Sequence, residues 1–234
     1  MNKANADIVD VFSSMQGEGI FLGARQIFVR FKKCNLSCAF CDEPRNAKAK
    51  GYSPLELMSE VKFLELSKGP HHSVSLTGGE PLLYSDFLKI FLKLLRKEKL
   101  KVYLETNGTL PEELSKVIDL VDIIAMDFKL PSSTNQKPFW QEHARFLKIA
   151  TRKKVFVKAV VTQRTVKQDI EKAVSLIKRT NESTPLILQP ATPVRTGDQD
   201  IDKNKLLKFV EIGARRRLEN IRVMPQVHKI LGVK

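Results

Sequence analysis

Three cysteines, Cys34, Cys38 and Cys41, are the side chains in this sequence that point most directly to metal chemistry. They are the only cysteines in the chain, and their spacing is C-x3-C-x2-C. Thiolates this close together on a loop can converge on one soft metal centre. A four-iron cluster held by three thiolates leaves one iron open to a substrate or cofactor. The alternative is a zinc site whose fourth ligand is a histidine, with three candidates: His71, His72 and His228.

Length and charge limit the possible classes of protein. The 234 residues are enough for one substantial domain and too few for two large ones, so we expect one domain over residues 1–234. The formal net charge of +14 is compatible with an anionic small molecule, an acidic protein partner or nucleic acid. Lysines and arginines are spread through the predicted helices and form no basic tract. We therefore expect a solvated surface and no nucleic-acid partner.

The sequence predicts a cytoplasmic protein. No apolar run is long enough to span a bilayer, so we expect no membrane association. Residues 1–7 lack the apolar core of a signal peptide. Three clustered cysteines are an odd number and poor material for disulfides, which favours a reducing compartment.

Strands and helices alternate along the chain. The predicted strands are residues 7–12, 26–31, 73–76, 102–105, 122–127, 154–161 and 186–190. The predicted helices begin after Ser53 and then cover about 86–98, 111–120, 140–150, 166–177 and 203–217. Such alternation is typical of parallel βαβ units. About six units are too few for a closed eight-fold barrel, so we predict an α/β fold with a partial, open parallel β/α barrel of about six strands.

Polar clusters follow the predicted strands. The cysteine loop follows residues 26–31, and the other clusters are the Gln16–Gly19 loop, Thr77–Pro81 and Thr106–Gly108. Ligands of parallel α/β sheets bind at the carboxyl ends of the strands. We therefore expect all of these clusters to lie at one edge of the sheet.

The segment Thr77–Pro81, TGGEP, resembles a motif of the radical S-adenosylmethionine (SAM) enzymes, and the cysteine spacing resembles their cluster signature. In that superfamily three cysteines hold a [4Fe-4S] cluster whose fourth iron chelates the amino and carboxylate groups of SAM. The cluster donates one electron and cleaves SAM to a 5′-deoxyadenosyl radical. Glycine backbone contacts the methionine moiety because no side chain blocks the approach. The resemblance thus implies a [4Fe-4S] cluster and SAM as cofactors.

A further set of motifs resembles the 7-carboxy-7-deazaguanine synthase family. The motifs are residues 12–19 (FSSMQGEG), 28–30 (FVR), 34–36 (CNL) with 41–42 (CD), 105–111 (ETNGTLP) and 225–232 (PQVHKILG). This resemblance runs from about residue 8 to the C-terminus. It implies ring contraction of 6-carboxy-5,6,7,8-tetrahydropterin to 7-carboxy-7-deazaguanine with loss of ammonia, on the route to queuosine and other deazapurines. It also implies Mg2+, a homodimer and an acidic electron donor such as a flavodoxin.

The resemblance assigns roles to individual residues. Cys34, Cys38 and Cys41 would hold the cluster, and Asp42 and Glu43 the magnesium ion. The residues assigned to SAM are Phe40, Gly78, Gly79, Glu80, Thr106, Asn107, Lys129 and Gln189. Those assigned to the pterin are Gln16, Gly17, Glu18, Arg30, Thr77 and His228. Glu18 suits the guanidine-like edge of the pterin as an acceptor, and Arg30 suits its carboxylate.

Glu43 departs from the family pattern. The family usually has a small hydroxyl residue after the aspartate of Cys-Asp, and that hydroxyl is a magnesium ligand. A carboxylate also suits Mg2+, so Glu43 either replaces the hydroxyl or points away and leaves Asp42 alone. Two other function classes stay open: a different radical SAM enzyme, such as an activase or an RNA-modifying enzyme, and a non-enzymatic metal-binding module.

Overall fold

A nine-stranded sheet runs through the computed structural model, which describes residues 5–43, 46–193 and 199–233. Its strands are β1 Ala6–Met15, β2 Arg25–Phe31, β3 Lys50–Tyr52, β4 Ser73–Gly78, β5 Val102–Thr106, β6 Ile123–Asp127, β7 Lys154–Val161, β8 Leu186–Pro190 and β9 Ile221–Val223. The spatial order is β3-β1-β2-β4-β5-β6-β7-β8-β9. From β2 onward every neighbouring pair is parallel. The prediction of an open parallel sheet of about six strands is confirmed, with β9 added at one edge.

Helices connect the parallel strands. They are α1 Pro54–Lys68, α2 Ser85–Lys97, α3 Pro111–Val117, α4 Pro131–Thr134, α5 Trp140–Ala150, α6 Lys167–Asn181, α7 Lys203–Arg215 and α8 Val227–Leu231. Short 3-10 helices cover Gly19–Phe21, Pro81–Tyr84 and Ile118–Leu120. Among the described helices, none is both long enough and apolar enough to cross a membrane.

Helix α1 starts where its sequence predicts. The Ser53 side chain accepts a hydrogen bond from the backbone N–H of Glu56, and the Glu56 carboxylate accepts one from the N–H of Ser53. Pro54 occupies the first turn, where its missing N–H costs nothing. This reciprocal capping satisfies two backbone donors that the helix itself leaves unpaired.

The two faces of the parallel strands have different partners. Residues such as Val29, Leu76 and Leu104 pack against the helices in the main core. Helix α2 faces this core with Leu88, Phe91, Leu92 and Leu95, all fully buried, as its periodicity predicts. Burial of each such side chain stabilises the fold by about 1.5–3 kcal/mol. The alternate strand residues point to the inner side of the sheet, where Tyr103, Ile123, Ala125, Phe156 and Ile187 form a second, smaller cluster.

Strand β1 runs antiparallel to β2, which corrects one expectation. Its last residue, Met15, pairs with Arg25, the first residue of β2. The Gln16–Gly19 loop therefore begins at the amino edge of the parallel strands, and not at the carboxyl edge where we expected every polar cluster. Alternation of side chains reveals which face a residue occupies but not the direction of the strand.

The Gln16–Gly19 loop nevertheless reaches the inner side of the sheet. Ile20 and Phe21, which follow it, pack against the inner apolar cluster. The carbonyl of Gly17 accepts a hydrogen bond from the N–H of Val227, just beyond β9. The loop thus links β1, near one end of the strand order, to the segment after β9 at the other end. It reaches the inner side of the sheet from the amino edge of the parallel strands.

Candidate active site

A cavity of about 230 Å³ lies on the inner side of the sheet. With the exception of Glu80, every residue that the resemblance assigned to a site contributes to its lining. These residues are Gln16, Gly17, Glu18, Arg30, Cys34, Cys38, Phe40, Cys41, Asp42, Glu43, Thr77, Gly78, Gly79, Thr106, Asn107, Lys129, Gln189 and His228. The structure therefore brings together side chains from the first and last motifs of the chain.

The cysteine loop is fixed by neighbouring strand ends. Asn35 accepts a hydrogen bond from the side-chain amide of Asn107 at 2.8 Å and donates one to the Thr109 hydroxyl at 2.9 Å. The N–H of Ala39 donates to the carbonyl of Thr134 at 2.9 Å. These bonds anchor the loop to the residues that follow β5 and to α4, so the thiols face the cavity at a set position.

Gly78 and Gly79 allow the chain that enters the cysteine loop to pass close by. Gly78 has a φ of +101°, and a Cβ on it would lie 2.5 Å from the carbonyl oxygen of Phe31. A Cβ on Gly79 would lie 2.1 Å from the carbonyl oxygen of Lys33. Both positions therefore need glycine for packing alone. Their backbone also borders the cavity, where it is open to a ligand.

Glu80 lies behind the cavity lining and is fully buried. Its carboxylate accepts hydrogen bonds from the Thr106 hydroxyl at 2.9 Å and from the N–H groups of Asn107 and Leu82 at 2.8 and 3.1 Å. Burial raises the pKa of Glu80 to about 7. In this position the side chain joins the ends of β4 and β5 and orients Thr106 and Asn107, instead of facing the cavity itself.

The surroundings of the three thiols suit a metal cluster at the wall of the cavity. Burial raises the pKa of the Cys34 and Cys38 thiols. The Lys129 ammonium lies 5.6 Å above the Phe40 ring and pairs with Asp127 at 2.8 Å. Its positive charge opposes the rise in thiol pKa and favours the thiolates that iron binds.

Two of the three histidines considered for a zinc site, His71 and His72, lie away from the cysteines. Within residues 5–43, 46–193 and 199–233, no three His, Cys, Asp or Glu side chains converge as one ion requires. His71 and His72 precede β4, at the opposite edge of the sheet from the cysteine loop. His71 contacts Glu65 and Ser13, and His72 contacts Ser73. These partners exclude both histidines as ligands of a zinc site at the cysteines.

Glu18 forms a buried ion pair with Lys158, which projects inward from β7. Gln226 donates a second hydrogen bond to Glu18 at 2.8 Å, and Asp127 lies 3.9 Å from the Lys158 ammonium. Burial alone would raise the pKa of Glu18, but Lys158 and the hydrogen bond from Gln226 outweigh it and lower the pKa to about 2. Glu18 is therefore a fixed carboxylate on the cavity wall.

The C-terminal segment covers the cavity beside this pair. A Cβ on Gly17 would lie 2.1 Å from Nδ1 of His228, so the glycine is what lets the histidine approach. Lys229, the next residue along α8, forms an ion pair with Asp42 at the far side of the cysteine loop. The prediction that His228 belongs to the same site as Glu18 agrees with this geometry.

Arg30 and Glu43 form a second ion pair in the lining. Nη1 of Arg30 donates a hydrogen bond to Oε2 of Glu43 at 3.1 Å and lies 3.0 Å from Oε1. The Arg30 guanidinium also lies 5.6 Å above the ring of Phe12. Glu43 thus contacts a residue predicted to bind the substrate, while Asp42 contacts Lys229.

Gln189 lines the cavity and carries an unpaired polar atom. Its Oε1 atom is buried and has no hydrogen-bond partner among the described residues. A buried acceptor without a partner costs about 1–3 kcal/mol, which a ligand donor would recover. This atom and the exposed glycine backbone supply polar contacts that fit SAM beside the thiols.

Our sequence analysis missed four charged residues of the lining: Lys229 on α8, and Glu105, Asp127 and Lys158. The last three lie on parallel strands at inward-facing positions. Lys158, for example, alternates with Phe156 on β7. A charged residue at an inward-facing strand position was the signal by which these residues could have been found, because a buried charge requires a partner.

Comparison with known proteins gives the family. The model of the radical SAM superfamily matches residues 28–180. The 7-carboxy-7-deazaguanine synthase of Geobacter sulfurreducens is 40% identical over 252 residues and covers 99% of each chain. That of Methanopyrus kandleri is 34% identical over 245 residues, covering 96% of this chain and 93% of the relative. QueE from Escherichia coli has a similar fold, with a TM-score of 0.65, 20% identity and coverage of 96% and 95% of the two chains.

The match to the superfamily spans more than half of the chain, and the relatives match almost all of it. Radical SAM enzymes use a [4Fe-4S] cluster and SAM, and the deazaguanine synthases among them also use Mg2+. The chain is thus a lyase of the radical SAM type that takes part in deazapurine biosynthesis. It belongs to the radical SAM superfamily and, within it, to the 7-carboxy-7-deazaguanine synthase family.

Proposed function

We propose that this cavity carries out the ring contraction of 6-carboxy-5,6,7,8-tetrahydropterin to 7-carboxy-7-deazaguanine with loss of ammonia. The observation that carries the proposal is the presence of Glu18 and Arg30 in the same lining as the three cysteines. The pterin has a guanidine-like edge and a carboxylate. A fixed carboxylate and a guanidinium are the complementary groups for these two ends.

The cofactor side of the cavity is formed by the cysteine loop and the ends of β4 to β8. Cys34, Cys38 and Cys41 hold the [4Fe-4S] cluster in this proposal. The groups that contact SAM are the backbone of Gly78 and Gly79 and the side chains of Phe40, Thr106, Asn107, Lys129 and Gln189. Glu80 supports them by holding Thr106 and Asn107 in place. When bound, the cluster and SAM supply the radical that takes a hydrogen atom from C6 of the substrate.

The substrate side is formed by the Gln16–Gly19 loop, β2 and the C-terminal segment. Glu18 accepts hydrogen bonds from the guanidine-like edge, and Lys158 keeps Glu18 ionised and in position. Arg30 binds the substrate carboxylate. Gln16, Gly17, Thr77 and His228 complete the pterin site. The hydrogen bond from Val227 to Gly17 holds the C-terminal segment over this site and limits the entry of water.

Mg2+ binds near the substrate carboxylate, with Asp42 and Glu43 as the oxygen ligands that this chain offers. Both carboxylates line the cavity next to Cys41. Their present partners, Lys229 and Arg30, neutralise them in the absence of a cation. A carboxylate without a compensating charge would be unfavourable at this depth.

The remaining proposals concern the whole protein. Residues 1–234 form one radical SAM domain, which the single continuous sheet supports. The enzyme is a cytoplasmic homodimer, and the exposed apolar side chains Leu55, Phe63 and Leu66 on α1 favour such association. The net charge of +14 supports an acidic electron donor such as a flavodoxin, and nucleic acid is not a partner.

The substrate assignment is tested with Arg30→Lys. Lysine keeps the positive charge but loses the planar, two-point contact with a carboxylate. We expect the affinity for pterin-6-carboxylate, the fluorescent oxidised form of the substrate, to fall about tenfold or more while SAM affinity stays the same, since a charged hydrogen bond contributes about 1.5–3 kcal/mol. Arg25→Lys, an exposed position at the start of β2, is the matched control. An equal loss for both ligands, or no loss, would remove Arg30 from the pterin site.

A further inference from the structure

Glu43 pairs with the guanidinium of Arg30, the group that the proposed function assigns to the carboxylate of the substrate. Its Oε2 accepts a hydrogen bond from Nη1 of Arg30 at 3.1 Å, and its Oε1 lies 3.0 Å from the same nitrogen. The two side chains are 28% and 33% exposed, so the pair lies at the wall of the cavity and not on the open surface. A carboxylate that belongs to the protein therefore stands where a carboxylate of the substrate would bind.

The pair uses only part of what Arg30 offers. Nε of Arg30 is buried and has no hydrogen-bond partner among the described residues. A guanidinium binds a carboxylate best through two parallel hydrogen bonds from two of its nitrogens. Glu43 contacts the guanidinium through the single nitrogen Nη1 and leaves the buried Nε donor unpaired, which is costly. A carboxylate that paired with two nitrogens of Arg30 would bind more strongly and could replace Glu43.

Two aromatic rings keep the guanidinium of Arg30 in place. Arg30 lies over Phe12 at 5.6 Å, and Phe12 is stacked on Phe28 with 5.2 Å between the ring centroids. Glu43, by contrast, is on the loop that follows the cysteines, outside any helix or strand. Glu43 is therefore the more movable partner, and Arg30 the fixed one.

We infer that Glu43 is an internal competitor for the substrate carboxylate at Arg30, and that binding of Mg2+ to Glu43 releases Arg30 for the substrate. The inference rests on the proposed function, because it takes the pterin carboxylate as the ligand of Arg30. Glu43 is an oxygen donor directly after Asp42, and Mg2+ is usually bound by one or two carboxylates together with oxygens of the substrate. The ion pair and the metal site are then two alternative states of one side chain.

This competition couples the metal to the substrate. Without Mg2+, Glu43 is paired with Arg30 in a fraction of the molecules, and in these Arg30 cannot bind the substrate carboxylate. The apparent substrate affinity is reduced by that fraction. Mg2+ raises that affinity, and the substrate raises the affinity for Mg2+ by the same factor. A residue with a hydroxyl in place of Glu43 could not pair with Arg30 as an ion, so the coupling is expected to be specific to a carboxylate at this position.

The experiment measures binding of pterin-6-carboxylate by fluorescence, with and without Mg2+, to wild type, Glu43→Thr and Glu43→Gln. Without Mg2+ we expect both variants to bind about tenfold more tightly than wild type, within the usual range of coupling free energies. Mg2+ should tighten binding to wild type and have much less effect on Glu43→Gln, which has lost both the ion pair and the carboxylate that would bind the metal. Glu112→Gln is the matched control: it removes the carboxylate of another Glu–Arg pair, with Arg145, on the exposed surface and outside the cavity lining. Its affinity for pterin-6-carboxylate without Mg2+ should stay within twofold of wild type.

Two results would overturn the inference: variants that bind no more tightly than wild type without Mg2+, or an equal Mg2+ effect in all proteins. Unsubstituted pterin, which has no carboxylate, should bind wild type and the Glu43 variants equally. If pterin-6-carboxylate binds and Arg30→Lys weakens it while the Glu43 variants change nothing, only the inference fails. If none of the proteins binds it under any condition, the proposed function fails as well.

Discussion

At the scale of single residues, the site depends on charges that neutralise one another inside the sheet. Glu18 and Lys158 are 16% and 12% exposed and form an ion pair, which Asp127 and Gln226 extend. Removing one partner of such a buried pair typically costs about 3–5 kcal/mol, because the other charge is left uncompensated. Breaking the pair is therefore costly, and in the proposed function the same pair presents Glu18 to the polar edge of the substrate.

The Glu18 pair predicts an acid-sensitive contribution to stability. The pKa of Glu18 falls from its ordinary value of 4.5 to about 2 on folding, so the stabilisation is complete above 4.5 and is lost as pH falls towards 2. We expect the free energy of unfolding of wild type to exceed that of Glu18→Gln at pH 6, with a difference that shrinks steadily from pH 4.5 to 2. Denaturant titrations across this range provide the measurement. A difference that stays constant with pH would show that the partners of Glu18 do not lower its pKa.

Sequence motifs identified most of the lining but not the pairing of its members. Arg30 and Glu43 were both assigned to the site, yet their contact with each other depends on how the loop after Cys41 folds back over β2. Lys158 lies outside all of the motifs, although its charge in an otherwise apolar strand was a usable sign. Pairings of this kind require three-dimensional positions, since the partners are 13 and 140 residues apart.

At the scale of elements, two glycines at the end of β4 connect the sheet to the cysteine loop. The N–H of Gly79 donates to the carbonyl of Phe31, and that of Glu80 donates to the carbonyl of Lys33. These hydrogen bonds place the entry to the loop directly against Gly79, where a Cβ has no room. The position of the thiols is therefore set by backbone contacts as well as by their own side-chain surroundings.

Gly79→Ala tests this connection. The added Cβ would lie 2.1 Å from the carbonyl oxygen of Lys33, so the cysteine loop must shift. We expect a reconstituted variant to bind less than a third of the iron of wild type, while its far-ultraviolet circular dichroism is unchanged. Gly51→Ala is the matched control, because nothing lies within 4 Å of a Cβ at Gly51. Full iron content in Gly79→Ala would show that the loop does not depend on this approach.

The sequence predicted the elements well where long periodic segments determine them. Helix α5 and strand β7 have the bounds that we predicted, and the alternation of strands and helices gave the open parallel sheet. The direction of β1 was not predictable from its alternation, and that error placed the Gln16–Gly19 loop at the wrong edge. Strand β3 has three residues, one of them glycine, and is specified by its pairing with β1 more than by its own propensity.

At the scale of the whole molecule, the net charge of +14 affects how an electron donor approaches. A positively charged surface attracts an acidic partner over a distance that shrinks as salt is added, from about 30 Å at 0.01 M to about 8 Å at 0.15 M. Cys34 is the exposed cysteine of the three, so in the proposed site the edge of the cluster at Cys34 would be the one nearest to solvent. Attraction of an acidic donor should therefore matter for the first electron.

Salt dependence tests the proposed donor class. With an acidic flavodoxin, we expect the rate of SAM cleavage to fall several-fold between 0.01 and 0.15 M salt, because electrostatic steering weakens. Reduced methyl viologen, a small cation, should show no such decrease and serves as the control. The same decrease with both reductants, or with neither, would contradict an electrostatic attraction between the enzyme and its donor.

The central claim, that this cavity contracts a pterin ring, is tested most directly by mass spectrometry of the products. The reconstituted enzyme is incubated anaerobically with 6-carboxy-5,6,7,8-tetrahydropterin, SAM, Mg2+ and a reductant. We predict 7-carboxy-7-deazaguanine and one ammonia per product. Cys38→Ala should form neither, since the chain has no cysteine beyond the three proposed ligands. Cleavage of SAM to 5′-deoxyadenosine with the pterin left unchanged would contradict the account and indicate a different radical SAM reaction.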